Sequence, residues 1–381
     1  MGFSIHTVGK IIFGAGCLRE FGGEIGALGS QVLLVTGKDF LRRTGQLAAI
    51  EKQLREQSLS VTVFDEVPRE PSLEVVERGI IELQTHECDV VAAVGGGSAI
   101  DAGKAIAALA GAPGTLHEYF RGRELEQKGR PFIALPTTAG SGAEVTPNAV
   151  LVDEEQKVKA SIRSAYMLAD VAIVDPELTL TLPGEITAHS GMDALCQAVE
   201  AFVSRGANPV TDALAEDSAV RLMHNLPLAY RDGKDLAART EVALGSLMGA
   251  MAFTNARLGL AHSMAHPLGV VTGLPHGLIC ALLLPAVVRF NAPVSAAKYA
   301  RLARSARIAD AGTPDDDAVR QLAAAIERLN AEMGIEARRD ELRISRQEWT
   351  RIVSQTVASG SARSNPRSVN ARDVEQILDC L

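Results

Sequence analysis

Three of the eight histidines fall within fifteen residues. His262 and His266 lie in Leu260-Ala261-His262-Ser263-Met264-Ala265-His266-Pro267, and His276 lies in Leu274-Pro275-His276-Gly277. A spacing of four puts His262 and His266 on one face of a helix. A single histidine on an apolar face is ordinarily a hydrogen-bonded core residue, but three in so short a window point to metal binding or proton transfer. A carboxylate stands upstream, in Gly191-Met192-Asp193-Ala194-Leu195-Cys196-Gln197-Ala198-Val199-Glu200, where Asp193, Gln197 and Glu200 share a face at i, i+4 and i+7. Polar groups buried at that spacing need partners. A divalent cation satisfies several at once, and so does a capping or helix–helix hydrogen-bond network.

A second chemistry is written in two glycine-bearing turns. The apolar run Val90–Val94 ends in Gly95-Gly96-Gly97-Ser98 and passes straight into Ala99-Ile100-Asp101-Ala102-Gly103-Lys104-Ala105. Strand, glycine turn and helix start, in that order, let the backbone approach a phosphate, with Ser98 and the first-turn N–H groups as donors. The spacing is neither G-x-G-x-x-G nor the Walker pattern, and an ordinary tight turn with Ser98 as N-cap fits the same residues. Phe132–Leu135 runs into Pro136-Thr137-Thr138-Ala139-Gly140-Ser141-Gly142-Ala143-Glu144, which sets three hydroxyls and two glycines at another strand end. Ligands of open α/β sheets bind at the carboxyl ends of strands. The two turns therefore suit one dinucleotide, one holding its pyrophosphate and the other its nicotinamide half.

The elements that must carry these residues follow from periodicity. Between about Gln31 and Asp175, short β-branched runs alternate with helical patterns, the signal of a parallel sheet wrapped by helices. Strands are expected at Val32–Thr36, Val61–Phe64, Val90–Val94, Phe132–Leu135, Ala149–Val152 and Val171–Val174, and helices at Thr44–Gln57, Ser72–His86 and Ala99–Ala110. After Pro183, strand-like runs nearly vanish and Ala/Leu/Met-rich helical segments follow, among them Thr187–Val203, Pro209–His224 and Leu236–Asn255. Ser295–Ala311 and Asp315–Met333 read as amphipathic packing helices. The expected organisation is an α/β, Rossmann-like domain over residues 1–180 and an all-α domain over 181–381, hinged at Pro176–Pro183.

Bulk properties narrow the class. The 381 residues are 47% hydrophobic and 22% charged, a globular composition. A net charge of −8 without a basic stripe argues against nucleic acid as the partner. The five cysteines are scattered and form no C-x-x-C pair, which reads as reduced thiols of a cytoplasmic protein. No run approaches the ~20 consecutive apolar residues of a membrane span, and the N-terminus lacks a leader pattern.

Taken together, Phe13-Gly14-Ala15-Gly16, Gly95-Gly96-Gly97-Ser98, Pro136 to Thr146, Gly191 to Ser204 and Leu260 to Pro285 resemble the group III, iron-containing alcohol dehydrogenases, in the lactaldehyde reductase and propanediol dehydrogenase branch. The resemblance implies the dehydroquinate synthase-like fold and hydride transfer between NAD(H) or NADP(H) and a small alcohol, aldehyde or ketone. It also implies a divalent metal, Fe2+ or Zn2+, acting as Lewis acid. Mapped onto this chain, the metal positions are Asp193, Gln197, His262 and His276, and His266 is the proton-transfer residue. Coenzyme contacts fall on Gly37, Gly95, Gly96, Gly97, Ser98, Asp101, Thr137, Thr138, Ser141, Asn148 and Lys159. Glu200 occupies a position without a ligand role, and relatives are commonly homodimers.

This chain departs from the family at Gln197, where relatives carry a metal-binding histidine. An amide oxygen is a neutral, harder and weaker donor than imidazole. Three outcomes stay open: a four-ligand site with the Gln197 oxygen, a three-ligand site, or a metal-independent reductase of an activated keto or unsaturated acid, similar to maleylacetate reductase. A cyclase of the dehydroquinate synthase kind, a glycerol-type dehydrogenase and a non-catalytic nucleotide binder are the other readings. Thr137–Gly142 with the Asp193 helix speaks against the first two, and the retained Asp193, His262, His266 and His276 against the third. At Gly37, NAD-preferring relatives carry an acidic residue that repels a 2′-phosphate. Gly37 removes that repulsion, and Lys38 or Arg42 is placed to attract the phosphate, so NADP(H) is expected to be accepted.

Overall fold

The computed structural model describes residues 2–156, 158–342 and 344–381. Contacts divide the chain into two compact units, His6–Thr138 with Gly142–Thr181, and Met1–Ile5 with Ala139–Ser141 and Leu182–Leu381.

The first unit is an α/β layer structure. In chain order it holds β1 (Lys10–Phe13), α1 (Phe21–Gly26), β2 (Gln31–Gly37), α2 (Phe40–Arg43), α3 (Gln46–Glu56), β3 (Ser60–Val67), α4 (Leu73–Thr85), β4 (Val90–Gly95), α5 (Gly97–Leu109), α6 (Leu116–Phe120), β5 (Phe132–Pro136), β6 (Asn148–Asp153), β7 (Val158–Arg163) and β8 (Val171–Val174). Six strands form a sheet in the order β1-β8-β5-β4-β2-β3, with every pairing parallel. β4 and β5 are buried along their whole length because helices cover both faces of the sheet, which is why these strands read as unbroken apolar runs. Phe21, Ile25, Leu34, Ile50, Leu54, Val90, Ile133 and Ile173 form the core on one face. On α5, a Cβ at Gly103 would stand 2.7 Å from that of Ala93, so this glycine sets the close approach of helix to sheet.

Three expectations for this unit need correction, and two strands, β1 and β7, were not foreseen. The Ala149–Val152 strand does not join the parallel sheet; as β6 it pairs antiparallel with β7, a strand whose polar, exposed residues hid it. The short N-terminal β1 was also hidden, since four residues carry no legible periodicity. The helix expected over Thr44–Gln57 is present as α3 but starts two residues later, because Gly45, whose φ of 75° is left-handed, holds the N-cap position; the short α2 before it was not foreseen. Finally, Ser98 is not an N-cap: Gly96 holds that position, and the Ser98 hydroxyl instead donates to the Arg69 carbonyl.

The second unit is helical: α7 (Gly184–Val203), α8 (Pro209–Arg231), α9 (Leu236–Ala256), α10 (Leu260–Thr272), α11 (His276–Ser305), α12 (Asp315–Glu332), α13 (Arg346–Ala358), α14 (Gly360–Ser364) and α15 (Ala371–Leu378). Glycines let α7, α8 and α9 pack closely. A Cβ at Gly191 would meet Leu226 at 2.2 Å, and one at Gly249 would meet Ser218 Oγ at 2.7 Å. α8 runs past Pro227, and α11 past Pro285 and Pro293, so Ser295–Ala311 is no separate helix. Each internal proline costs a helix about 3 kcal/mol. Burial of Leu278–Leu284, Val287 and Val288 offsets that loss in α11. By length and hydropathy α11 is apolar enough to cross a membrane, although it holds no unbroken run of ~20 apolar residues, and 67% of its apolar stretch is buried within the protein.

Candidate active site

α7 presents Asp193, Gln197 and Glu200 on one buried face, as their spacing requires. Glu200 is spent on α10. Glycine at the α10 N-cap supplies no side chain to satisfy the helix's first N–H groups. Glu200 does so from α7, its Oε2 accepting from Gly259 N at 2.9 Å and its Oε1 from Ala261 N at 2.6 Å, while Asn365 Oδ1 accepts from Leu260 N at 3.2 Å. An anion at a helix N-terminus is stabilised by the helix dipole as well as by these bonds. The same carboxylate lies 2.7 Å from His262 Nδ1, which fixes the imidazole so that Nε2 faces Asp193 Oδ1 at 3.3 Å.

His276 reaches this point because α11 starts against α7. A Cβ on Gly277 would fall 2.0 Å from His189 O and 3.2 Å from Asp193 Cβ, so only glycine allows the contact. His276 Nε2 then stands 3.8 Å from Asp193 Oδ1. Its ring lies 5.4 Å from that of His262 and stacks on that of His266 at 5.1 Å and 26°. His266 is itself solvent-exposed. Gln197 Nε2 donates to Asp193 Oδ2 at 3.1 Å, which turns its carbonyl oxygen away from that bond.

Three buried atoms of this cluster have no hydrogen-bond partner: Asp193 Oδ1, Gln197 Oε1 and His262 Nε2. A buried polar atom without a hydrogen bond costs about 1–3 kcal/mol; here Asp193 Oδ1 and His262 Nε2 face each other at 3.3 Å without a well-formed hydrogen bond, and Gln197 Oε1 has no partner. That donor set fits a divalent cation. The ionisation states agree. Burial alone would lower His262, but the charge of Cys280 and the carboxylates of Asp193 and Glu200 raise it well above its ordinary value. His276 is raised for a related reason: Cys280 and Asp193 outweigh burial. A bound cation takes the place of protons that the site already attracts.

Two thiols adjoin the cluster, Cys196 on α7 and Cys280 on α11. Cys280 Sγ is 3.5 Å from His276 Nε2, and Cys196 Sγ is 3.8 Å from His262 Nδ1. Burial opposes ionisation of Cys280, but the hydrogen bond from Cys196 and the positive His262 and His276 outweigh it, and this thiol falls well below its usual range. Burial pushes Cys196 the other way.

In the α/β unit Gly37, Gly95–Ser98, Thr137 and Thr138 stand at the carboxyl ends of neighbouring strands. Gly95 pairs in register with Pro136, and Thr36 with Val94, so Gly37, Gly95–Ser98 and Thr137–Thr138 form one row. Thr137 N donates to Gly95 O at 2.9 Å. A Cβ on Gly95 would stand 2.7 Å from that of Ala99, so glycine is required where the turn closes on α5. Asp101 Oδ2 accepts from Val150 N at 3.0 Å, Asn148 opens β6, and Lys159 on β7 pairs with Glu70 at 2.6 Å. Ser141 clusters with the helical unit rather than with this row.

The iron-containing alcohol dehydrogenase model matches residues 9–176, and the C-terminal model of the same family matches residues 187–381. The chain belongs to the iron-containing alcohol dehydrogenase family. It is 38% identical over 353 residues to the 1,3-propanediol dehydrogenase of Klebsiella pneumoniae, covering 92% of this chain and 91% of that one. It is 33% identical over 367 residues to the NAD-dependent methanol dehydrogenase of Bacillus methanolicus, covering 96% of each. The NADPH-dependent butanol dehydrogenase of Clostridium saccharobutylicum is 33% identical over 379 residues, with 97% of this chain and 96% of that one covered. The crystal structure of a 1,3-propanediol oxidoreductase superposes with a TM-score of 0.96 at 37% identity, with both chains fully covered. The protein is thus an NAD(P)-dependent oxidoreductase acting on CH–OH groups of small alcohols, in a family that works with a divalent metal.

Three features of this alcohol dehydrogenase escaped sequence reasoning. Cys280 lies four residues after His276 on one helix, a spacing that sets both on one face. Glu200, set aside as having no ligand role, contacts the ligand rather than the metal position. Lys104 was read only as part of a helix, yet it is 1% exposed and donates to the carbonyls of Ala143, Thr146 and Asn148 at 2.7, 2.8 and 2.7 Å, pinning the second glycine turn. Beyond the end of β2, Arg42 of α2 is bonded to Asp65, its Nε at 3.0 Å, so its charge is already met. Lys38 is the exposed cation beside Gly37.

Proposed function

We propose that this dehydrogenase interconverts short-chain alcohols with their aldehydes or ketones, with Asp193, Gln197, His262 and His276 holding Fe2+ or Zn2+. The observation that carries this reading is the approach of the buried Asp193 Oδ1 and His262 Nε2 to 3.3 Å, neither of them hydrogen-bonded, with a further unpartnered oxygen, Gln197 Oε1, on the same buried helix face as Asp193. When bound, the metal would supply Lewis acidity toward the substrate oxygen. The protein's own part is positional and protonic. Glu200 locks the His262 ring. His266, stacked on His276 and open to water, exchanges the proton of the substrate hydroxyl with solvent.

The coenzyme phosphates rest on Gly95, Gly96, Gly97 and Ser98 at the start of α5, where no side chain caps the helix. Gly37, Asp101, Thr137, Thr138, Ser141, Asn148 and Lys159 complete its contacts. Gly37 and Lys38 admit the 2′-phosphate, so both NADH and NADPH serve. Five free cysteines, four of them buried, support work in a reducing cytoplasm, and the working form is a homodimer.

The test is aldehyde-dependent oxidation of NADH and NADPH, followed together with metal content. Loss of rate on chelation and its return with Fe2+ or Zn2+ is expected. A full rate in metal-free protein would overturn the metal reading in favour of a metal-independent reductase.

A further inference from the structure

We infer that Cys280 is a metal ligand in this chain, so that the strong donors are Asp193, His262, His276 and Cys280, with the Gln197 amide left as a weak accessory. This rests on the metal reading above and changes its donor set.

Geometry comes first. One ligand atom each from Asp193, His262, His276 and Cys280 lies within 4.8 Å of the other three. A tetrahedral ion bound at about 2.0–2.1 Å by nitrogen and oxygen and about 2.3 Å by sulfur separates its N and O ligands by roughly 3.4 Å and an N,S pair by roughly 3.5 Å. The observed separations are 3.3 Å for His262 Nε2–Asp193 Oδ1, 3.8 Å for His276 Nε2–Asp193 Oδ1 and 3.5 Å for Cys280 Sγ–His276 Nε2. These three edges are within about 0.4 Å of that tetrahedron, and the remaining three lie within 4.8 Å. His276 and Cys280 are four apart on α11, so one helical turn delivers both.

Chemistry gives the second argument. With Gln197 in place of an imidazole, the family set would offer a dication one carboxylate and a neutral amide in a buried setting. A thiolate adds a second anionic donor, which lowers the penalty of burying the charge. It also restores a soft ligand of the kind preferred by Zn2+, Fe2+ and Co2+. An ordinary buried cysteine is a small apolar filler. Cys280, fully buried, instead lies 3.5 Å from His276 Nε2 and within 4.8 Å of a ligand atom of Asp193 and of His262. Cys196 does not compete, because it groups with Glu200 on the Nδ1 side of His262.

The full-length protein loaded with Co2+ tests this without reference to turnover. The expected result is one Co2+ per chain with an intense near-ultraviolet sulfur-to-cobalt charge-transfer band, kept in Cys196→Ser and lost in Cys280→Ser. Cys280→Ser should also weaken Co2+ and Zn2+ binding by more than about tenfold, since losing even an outer-shell partner typically costs 10–100-fold. X-ray absorption on the unmodified Zn2+ protein, which needs no variant to fold, should show one sulfur scatterer at about 2.3 Å. Stoichiometric Co2+ without the band, a band that survives in Cys280→Ser, or a Zn2+ shell without sulfur overturns the thiolate ligand and leaves the metal site standing. Failure to bind Co2+ or Zn2+ at one per chain overturns both.

Discussion

Glu200 Oε2 stands 2.7 Å from His262 Nδ1, and the same carboxylate caps the helix that carries His262. One side chain therefore sets both the position of α10 and the rotation of the imidazole. Shortening or neutralising it disturbs a ligand without touching the metal. Glu200→Gln is expected to lower metal affinity by about 10–100-fold. It should also destabilise the protein by about 1–3 kcal/mol, since a charge-assisted acceptor is weakened at two N–H groups. Chelator competition and denaturant titration read the two effects separately, and unchanged metal affinity would remove Glu200 from the site.

Gln197→His places an imidazole where the amide oxygen of Gln197 is now buried without a partner. A stronger nitrogen donor should tighten Zn2+ or Fe2+ by about tenfold or more. Metal retained after dialysis against a chelator is the measurement. Equal retention by both proteins would mean that position 197 lies outside the coordination sphere.

Gly277→Ala should act at a distance of one residue from the ligand His276. The added Cβ would sit 2.0 Å from His189 O, so the start of α11 must move away from α7. Overpacking of this kind costs about 1–3 kcal/mol, and His276 should be displaced from Asp193. Metal affinity and melting temperature are expected to fall together. A variant that melts lower yet binds metal as before would separate the packing of α11 from the placement of His276.

Burial pushes the Glu144 carboxyl from 4.5 up to about 7, only partly opposed by its own backbone bond and by Lys104. The folded chain thus keeps a proton that the unfolded chain releases between those values. Stability from this group is complete below about 4.5 and is lost as pH rises through about 7. Glu144→Gln removes the loss, so the variant should gain on the parent across that window, by on the order of 2–3 kcal/mol above it. Lys104, lowered to about 8 mainly by burial, acts above this window with the opposite sign: stability rises with pH between about 8 and 10.5. Denaturation of both proteins at pH 5, 6 and 8 checks the difference, and parallel pH profiles would sink it.

Gly37→Asp tests the coenzyme reading. A carboxylate at the end of β2 would repel a 2′-phosphate while bonding the ribose hydroxyls. The ratio of kcat/KM for NADH over NADPH should rise about a hundredfold, on the order of 3 kcal/mol. An unchanged ratio would move the 2′-phosphate elsewhere.

Much of the site was readable because its members are close in sequence or in helical phase. Asp193, Gln197 and Glu200 share a face by spacing alone, and His262, His266 and His276 crowd one window. The parallel sheet was readable because its strands are buried on both faces and therefore apolar throughout. Antiparallel β7 and short β1 were not, because polar or very short strands carry no such pattern. Ser295–Ala311 was read apart from the rest of α11 because Pro293, just before it, is locally a breaker, and only burial along the helix outweighs it.

The sequence by itself determined which residue types stand ready for metal and coenzyme, and that an imidazole is missing at Gln197. Tertiary structure decided how they meet. It set Glu200 behind His262, seated His276 against Asp193 through Gly277, and brought Cys280 of α11 beside residues of α7 and α10. Contacts between separate helices depend on packing distances of a few ångströms, set by glycines and side-chain volumes far apart in the chain. No local pattern encodes those distances.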